Sequence, residues 1–301
     1  MTPRHLGIIQ SVSSGVCYGA LGLLGKTLYE HNVAPGQLLA LRFLLASVMT
    51  LIFVTLKHPA RLRLTRKQFL SCAILGVFGY ALFSLCFFSA LKGLSASLTV
   101  LLLFTFPVLV AIGGWLFFKE AVARQHLPAI PIASLGLIGL VWGDLSVERA
   151  EFLVLAMVSA LVYALYILAS SRWLKGVDPG ASTAYIQAFA GLTLGTLYLQ
   201  DGEQTMHIVQ NNWLMLGVIS FLCTVMAMGL FLAGLQKLKG WEVSVLSMSE
   251  PLTGVVLATT FLNESLTWVQ LAGAGAVIIA LVWVSWPVNR SIESETRPSL
   301  S

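Results

Sequence analysis

The chain has 301 residues, of which 57% are hydrophobic and 10% are charged, and it carries a net charge of +5. Soluble domains carry about 25% charged residues, so this composition excludes a soluble enzyme and indicates an integral membrane protein. The positive charge does not indicate nucleic-acid binding, because the Lys and Arg residues lie at the ends of apolar runs rather than in a basic patch.

Apolar runs of about 20 residues, the length that a helix needs to cross the hydrocarbon core, recur along the whole chain. The alternating strands of about ten residues that are typical of an outer-membrane barrel do not occur. The sequence therefore predicts an all-α integral membrane protein with ten transmembrane helices. Their approximate ranges are 6–26, 34–56, 68–90, 95–118, 126–144, 151–174, 180–200, 212–236, 241–262 and 266–286.

The positive charges predict how this bundle is oriented. With the N-terminus inside, fourteen Lys and Arg residues lie in cytoplasmic segments, and three, Lys26, Lys92 and Arg149, lie outside. By the positive-inside rule, both termini are therefore cytoplasmic. The first segment contains Gln10 and Ser11 and lacks an obvious cleavage site, so we interpret it as a helix and not as a secretory signal. We expect a multi-pass protein of the bacterial-type cytoplasmic (inner) membrane.

The two halves of the chain align with each other at a shift of about 144 residues. The shift brings Pro107 onto Pro251 and Glu120 onto Glu264, so each proline precedes a glutamate by thirteen residues. Each half holds five predicted helices, and an odd number inverts the second half in the membrane. We therefore predict a first five-helix repeat, a second, inverted five-helix repeat and a cytoplasmic tail, at residues 1–146, 147–287 and 288–301.

Small residues at helical spacing predict where helices approach closely. Gly15 and Gly19 lie four residues apart in the first helix, Gly136 and Gly139 lie in the fifth, and Gly273 lies in the tenth. Such spacings let the backbones of two membrane helices come into contact. Static packing is the favoured interpretation, and sliding contacts are the alternative.

Helices four and nine carry related motifs, which are Pro107, Gly113, Gly114 and Glu120 in the first half and Glu250, Pro251 and Glu264 in the second. Together with the ten-helix inverted repeat, these motifs resemble the drug/metabolite transporter superfamily, in its EamA-type branch. The resemblance covers the whole chain and implies a secondary transporter. Members of this branch are similar to exporters of amino acids, other metabolites and drugs.

Two charged residues are candidates for the transport site. Glu250 is the carboxylate clearly within a predicted span, where an ionisable group costs about 2.5–3.5 kcal/mol on insertion scales. It is a candidate site for a proton or a substrate ammonium group, and the alternative is a structural anchor at a kinked helix. Arg42 could pair with Glu250 or bind a substrate carboxylate, but snorkelling to the extracellular interface or a structural contact is the favoured interpretation.

The two aligned prolines are predicted hinges. Because proline has no backbone N–H, we expect Pro107 to deprive the Leu103 carbonyl of its helical partner, and Pro251 to do the same to Ser247. A kink without any role in binding is the alternative interpretation for both positions.

Side chains near these prolines predict one polar and one apolar wall of a site. Ser247 and Glu250 share a helix face, as do Leu103 and Phe106 in the first half. Such walls suit an amphipathic solute, for example a large neutral amino acid.

Three tyrosines within predicted spans are further substrate-binding candidates, and these are Tyr18, Tyr80 and Tyr163. A ring with a hydroxyl tip can hold an apolar solute and orient it. Packing or a position in the lipid belt is the alternative interpretation.

These patterns predict a secondary transporter of amino acids, with aromatic or large neutral ones favoured, or of related metabolites, acting in export. Alternating access at a central cavity between the repeats is the expected mechanism. A multidrug or cationic-compound exporter is the alternative, and an intramembrane enzyme is a less favoured one. The expected partners are a small-molecule substrate and the lipid bilayer, without nucleic acid. Because the four cysteines and five histidines lack metal-ligand spacing, we expect no metal and no cofactor.

Overall fold

The computed structural model describes residues 2–143, 146–261 and 265–287, and these ranges are almost entirely helical. Glu264 and the predicted tail, residues 288–301, lie outside the described residues. The α-helices of the first half are α1 (Pro3–Glu30), α2 (Pro35–Lys57), α3 (Arg66–Ile74), α4 (Leu82–Ala90), α5 (Ala96–Leu103), α6 (Phe106–Phe118) and α7 (Ala129–Leu140). Those of the second half are α8 (Ala150–Trp173), α9 (Pro179–Tyr198), α10 (Gly202–Ser220), α11 (Ala227–Leu235), α12 (Gly240–Leu246), α13 (Ser249–Phe261) and α14 (Trp268–Ser285).

Within the described ranges, eight helical stretches are long and apolar enough to cross a membrane, which confirms the prediction of an all-α, multi-pass membrane protein. They are Pro3–Lys26, Pro35–Lys57, Arg66–Ala90, Ala96–Phe118, Ala150–Trp173, Gly202–Leu235, Gly240–Phe261 and Trp268–Ser285. The helices at the predicted fifth and seventh positions are α7, which has 12 residues, and α9, which has 20 residues and several polar side chains.

Two of these stretches contain a π-helix in their interior. Leu75–Ala81 is a π-helix that connects α3 to α4, and Phe221–Met226 is a π-helix that connects α10 to α11. A π-helix adds a residue to a turn and re-aims the side chains that follow, and it is frequent at functional sites. The third and eighth predicted spans therefore share the same local distortion.

Two further stretches are broken into two helices. Phe104 and Thr105 separate α5 from α6, and Ser247 and Met248 separate α12 from α13. In both stretches, the break is followed directly by a helix whose first turn contains the proline. A proline is tolerated there because the first N–H groups of a helix have no intrahelical partner. The predicted kinks are thus complete interruptions of two helices.

The main helix contacts pair the two halves of the chain. Helix α1 packs against α11 and α13, while α8 packs against α4 and α6. Helix α2 packs against α9, and α7 packs against α14. The core consequently lies between helices that are far apart in the sequence, and large apolar side chains such as Leu56, Phe78 and Leu135 are exposed at the periphery.

The contact between α7 and α14 depends on glycine, as the small-residue spacing predicts. A Cβ atom on Gly273 would lie 2.2 Å from the Leu140 backbone nitrogen and 2.5 Å from the Gly136 carbonyl oxygen. Both atoms belong to the backbone of a packed helix and cannot rotate away. The two helices can therefore stay this close only without a side chain at position 273.

We expect Gly273→Leu to destabilise the protein by about 1–3 kcal/mol, the usual cost of overpacking a filled interior. The measurement is the thermal unfolding transition of the purified protein in detergent. Gly275→Leu is the matched control, because it lies on the same helix and a Cβ atom there would meet nothing within 4 Å. Equal transitions for the two variants would contradict this account of the α7–α14 contact.

Candidate functional site

Aromatic rings from both halves of the chain meet in the interior of the bundle. The ring centroid of Tyr163 lies 4.7 Å from that of Phe83 and 4.8 Å from that of Phe106. The ring centroid of Tyr80 lies 5.1 Å from that of Phe43. We refer to these rings as the aromatic cluster, which comprises Tyr18, Phe43, Tyr80, Phe83, Phe106, Tyr163, Tyr166 and Phe231.

The structure brings together four aromatic residues that the sequence suggests as site candidates. Tyr80 donates a hydrogen bond to the Tyr18 hydroxyl at 3.0 Å, and Phe106 and Tyr163 are in direct ring contact. Sequence reasoning missed the other four rings of the cluster. Helical spacing could have identified two of them, since Phe83 and Tyr166 each follow a candidate tyrosine by three residues.

Local backbone features position Tyr80 at the centre of the cluster. Tyr80 belongs to the π-helix between α3 and α4 and is buried. The neighbouring Gly79 makes room for the Tyr166 ring, because a Cβ atom there would lie 2.8 Å from a ring carbon. The Tyr80 and Tyr166 ring centroids are consequently only 5.5 Å apart.

Glu250 lies in the first turn of α13, immediately after the break, and is partly buried. Helix α1 packs tightly against this turn: a Cβ atom on Gly15 would lie 2.0 Å from the Ser249 hydroxyl, and one on Gly19 would lie 2.5 Å from the Glu250 carbonyl oxygen. The Ser249 hydroxyl also donates to the Val12 carbonyl at 3.0 Å. The glycines predicted for close packing therefore hold α1 against the residue that carries the intramembrane carboxylate.

Of the two favoured interpretations of Arg42, snorkelling is contradicted, because only 5% of the residue is exposed, whereas a structural contact agrees with its position inside the protein. Its Nε and Nη1 atoms have no hydrogen-bond partner among the described residues, and its guanidinium carbon lies 4.8 Å from the Phe43 ring centroid. Arg42 and Glu250 do not form an ion pair.

The Ser247 carbonyl loses its helical partner at Pro251, as the sequence predicts, but it is not left free. The helix break lets the Glu250 backbone N–H donate to this oxygen at 2.9 Å, a tighter turn that replaces the lost helical bond. The Ser247 hydroxyl donates to the Val243 carbonyl at 2.8 Å. In the first half, Leu103 is buried in the apolar core. The Ser247 carbonyl and hydroxyl of the predicted polar wall are therefore hydrogen-bonded within their own chain segment, whereas the Glu250 carboxylate is not.

A cavity of about 320 Å³ begins one helical turn beyond Glu250 on α13. Gly254 and Thr259 of α13 line it, together with Gly22 of α1 and Gln270 of α14. A Cβ atom on Gly22 would meet nothing within 4 Å. Helices α1 and α13 are therefore tightly packed beside Glu250 and diverge from Gly22 and Gly254 onward.

Several curated proteins are similar to this chain over most of their length. The Salmonella typhimurium protein named uncharacterized inner membrane transporter YicL is 23% identical, with 96% of this chain and 98% of that protein covered. A probable amino-acid metabolite efflux pump of the same organism is 26% identical, with 83% and 85% covered. A threonine/homoserine exporter of Escherichia coli is 28% identical, with 85% and 83% covered.

A solved crystal structure has the same fold, with a TM-score of 0.79 and 15% identity over 95% of this chain and 98% of that chain. The EamA-like transporter family matches residues 5–142 and 152–286. This match confirms the resemblance that the motifs of helices four and nine indicate, and it confirms a transporter and not an enzyme. The inner-membrane relative and the apolar helices confirm the expected multi-pass inner-membrane location. The chain belongs to the EamA-like transporter family.

Proposed function

We propose that this transporter exports amino acids, preferring aromatic or large neutral ones, across the inner membrane by alternating access. The proposed architecture has ten transmembrane helices in two inverted repeats, residues 1–146 and 147–287, with both termini in the cytoplasm. The substrate binds between the repeats, at Arg42, Glu250 and the aromatic cluster. Arg42 binds the substrate carboxylate, Glu250 binds its ammonium group, and the aromatic cluster contacts its apolar side chain.

Matched features of the two halves support the inverted repeat. Exchanging each helix for its counterpart turns the contact of α1 with α11 and α13 into that of α8 with α4 and α6, while the α2–α9 and α7–α14 contacts map onto themselves. The π-helices and the helix breaks also occur at corresponding places. Inverted repeats with broken helices are typical of transporters whose halves exchange conformations. Pro107 and Pro251 are the proposed hinges.

The buried Arg42 is the observation that carries the proposal. A guanidinium group in the membrane interior is costly unless its charge and its N–H groups are satisfied, yet Nε and Nη1 of Arg42 have no partner in the described chain. A planar carboxylate is the ligand that best matches a guanidinium group. We infer that the α-carboxylate of the substrate supplies the missing partner.

Glu250 provides the complementary charge. Its carboxylate forms no ion pair with Arg42, and Nε and Nη1 of the guanidinium group have no partner among the described residues. In the proposed complex, a zwitterion directs its carboxylate to Arg42 and its ammonium group to Glu250. Glu250 is also the proposed proton site when the substrate is absent, because it is partly exposed at a helix break, one helical turn before the cavity at Gly254.

The aromatic cluster suits the apolar part of the substrate. Its rings come from helices of both halves, so that a side chain bound against them would contact each half. Relatives named as an amino-acid metabolite efflux pump and a threonine/homoserine exporter support an amino-acid substrate. The same rings beside Glu250 would also attract a hydrophobic cation, which makes a cationic-drug exporter the second candidate.

Counterflow in proteoliposomes distinguishes the two substrates. We expect vesicles loaded with unlabelled phenylalanine, tryptophan or leucine to take up the labelled amino acid transiently above equilibrium, because a saturable carrier exchanges one solute for another. A cationic dye is the contrasting cargo. Dye movement without amino-acid counterflow would replace the proposed function with multidrug export.

We expect Glu250→Gln to abolish counterflow or to make the flux independent of a proton gradient. The reason is that the amide cannot hold the negative charge or the proton. The measurements are counterflow and gradient-driven flux, with a monodisperse elution profile as the check on folding. Glu151→Gln is the matched control, since this carboxylate is 60% exposed at the start of α8 and pairs with Arg149. Normal flux with unchanged gradient dependence in the Glu250 variant would refute its role.

We expect Arg42→Gln to raise the KM for leucine by roughly 10- to 100-fold, the loss of a hydrogen-bonded charge partner for the substrate carboxylate. The measurement is the concentration dependence of counterflow. Inhibition by leucinamide, which has no carboxylate, should change little. Arg63→Gln is the matched control because Arg63 is exposed in the connection before α3. An equal loss of affinity for leucine and leucinamide would contradict carboxylate binding by Arg42.

A further inference from the structure

A second cavity, of about 330 Å³, lies at the end of the bundle that carries both described chain ends. Its lining includes the C-terminal turns of α8 and α11 and the first turn of α12. Arg4, near the start of α1, forms an ion pair with Glu242 of this lining and donates to the Val284 carbonyl near the end of α14 at 2.8 Å. In the proposed orientation, this cavity is therefore cytoplasmic.

The charged lining of this cavity has an excess of positive charge. Arg172 and Glu120 form an ion pair at 2.5 Å, and Glu242 is occupied by Arg4, so both carboxylates are neutralised. Lys175 and Lys239 also line the cavity, and neither forms an ion pair within the described ranges. The cavity is thus suited to a solute that carries a carboxylate.

The inner end of the cavity contains a buried polar atom without a partner. Ser170 is 2% exposed, and its hydroxyl oxygen has no hydrogen-bond partner in the described part of the chain. The Tyr166 hydroxyl, four residues earlier on α8, is a second buried polar atom without a hydrogen-bond partner among the described residues. Because Tyr163, Tyr166 and Ser170 follow one another at helical spacing on α8, the same helix face leads from this cavity to the aromatic cluster.

The remaining lining is apolar. Leu174, the residue after α8, and Leu232 and Leu235 of α11 contribute side chains to the cavity. All three are buried in the core of the bundle. A cavity that is lined by positively charged side chains and by leucines matches a solute with a carboxylate at one end and an apolar side chain at the other.

We propose that this cavity is a second binding site, at which the substrate amino acid is loaded from the cytoplasm before it reaches the central site. Its carboxylate binds Lys175 and Lys239, its side chain contacts the leucines, and Ser170 supplies a hydroxyl group on the way to the aromatic cluster. This site rests on the proposed amino-acid export, since it takes the same substrate.

Substrate protection of an introduced thiol tests the site without relying on transport. We expect leucine to slow the reaction of a water-soluble thiol reagent with Ser171→Cys in the purified full-length protein, measured by peptide mass mapping, because Ser171 lines the cavity and is partly exposed. Leucinamide should protect less, because it lacks the carboxylate. Ser71→Cys, in the second half of α3 and outside the cavity, is the control and should react at the same rate with and without leucine.

The outcomes separate this site from the proposed transport function. Leucine counterflow without protection at position 171 would overturn the loading site and leave amino-acid export standing. Protection without counterflow would establish the site and overturn the export proposal. Protection at both positions 171 and 71 would indicate a general effect on the protein and would also overturn the loading site.

A sided measurement provides an independent test. We expect the double variant Lys175→Gln, Lys239→Gln to raise the KM for leucine on the cytoplasmic side about tenfold, the loss of a hydrogen bond from a charged group. The KM on the opposite side should not change in vesicles of uniform orientation. Lys57→Gln, which removes a charge at the same end of the bundle, should leave both values unchanged. An equal change on both sides would contradict a cytoplasmic loading site.

Discussion

Backbone polar groups have no water to bind in the hydrocarbon core, so an irregular backbone can exist there only inside the protein. The two helix breaks obey this constraint. Phe104 in the first break and Ser247 and Met248 in the second are buried, and the Ser247 carbonyl receives its replacement hydrogen bond from Glu250. The surrounding helices therefore have to enclose both breaks, which explains why α1 and α8 contact the broken helices of the opposite half.

Enclosing the second break creates the electrostatic character of the candidate site. The tight contact of α1 with α13, which Gly15 and Gly19 permit, holds Glu250 inside the bundle. Arg42 approaches from α2 and stays buried without filling its own hydrogen-bonding capacity. Removing two charges from water costs several kcal/mol for each ion, and a substrate zwitterion would recover part of that cost. The free-energy cost of burying these charged groups is consequently a reason to assign the arrangement to binding and not to stability.

The proposed transport path has a polar end and a narrow centre. At one end, ion pairs Arg4–Glu242 and Arg172–Glu120 surround the lysine-lined cavity. At the other, α1 and α13 diverge around the cavity at Gly254. Between them lie the tightly packed aromatic rings, including the hydrogen-bonded Tyr18. A conformational exchange that opens the helix contacts at one end while it closes those at the other end would connect the aromatic cluster with each cavity in turn.

The sequence by itself determined the membrane-embedded helical fold and the family, because both depend on composition, length and short motifs. The predicted start of the eighth span near 212 coincides with a kink in α10 at Asn212. Hydropathy alone does not recognise the polar part of α10 before this kink, which begins at Gly202 and is capped by Asp201. Four of the eight cluster rings were identifiable as candidates. The tertiary structure alone decided that Arg42 is buried, because hydropathy locates a residue along the membrane normal but does not reveal which face of its helix meets protein and which meets lipid.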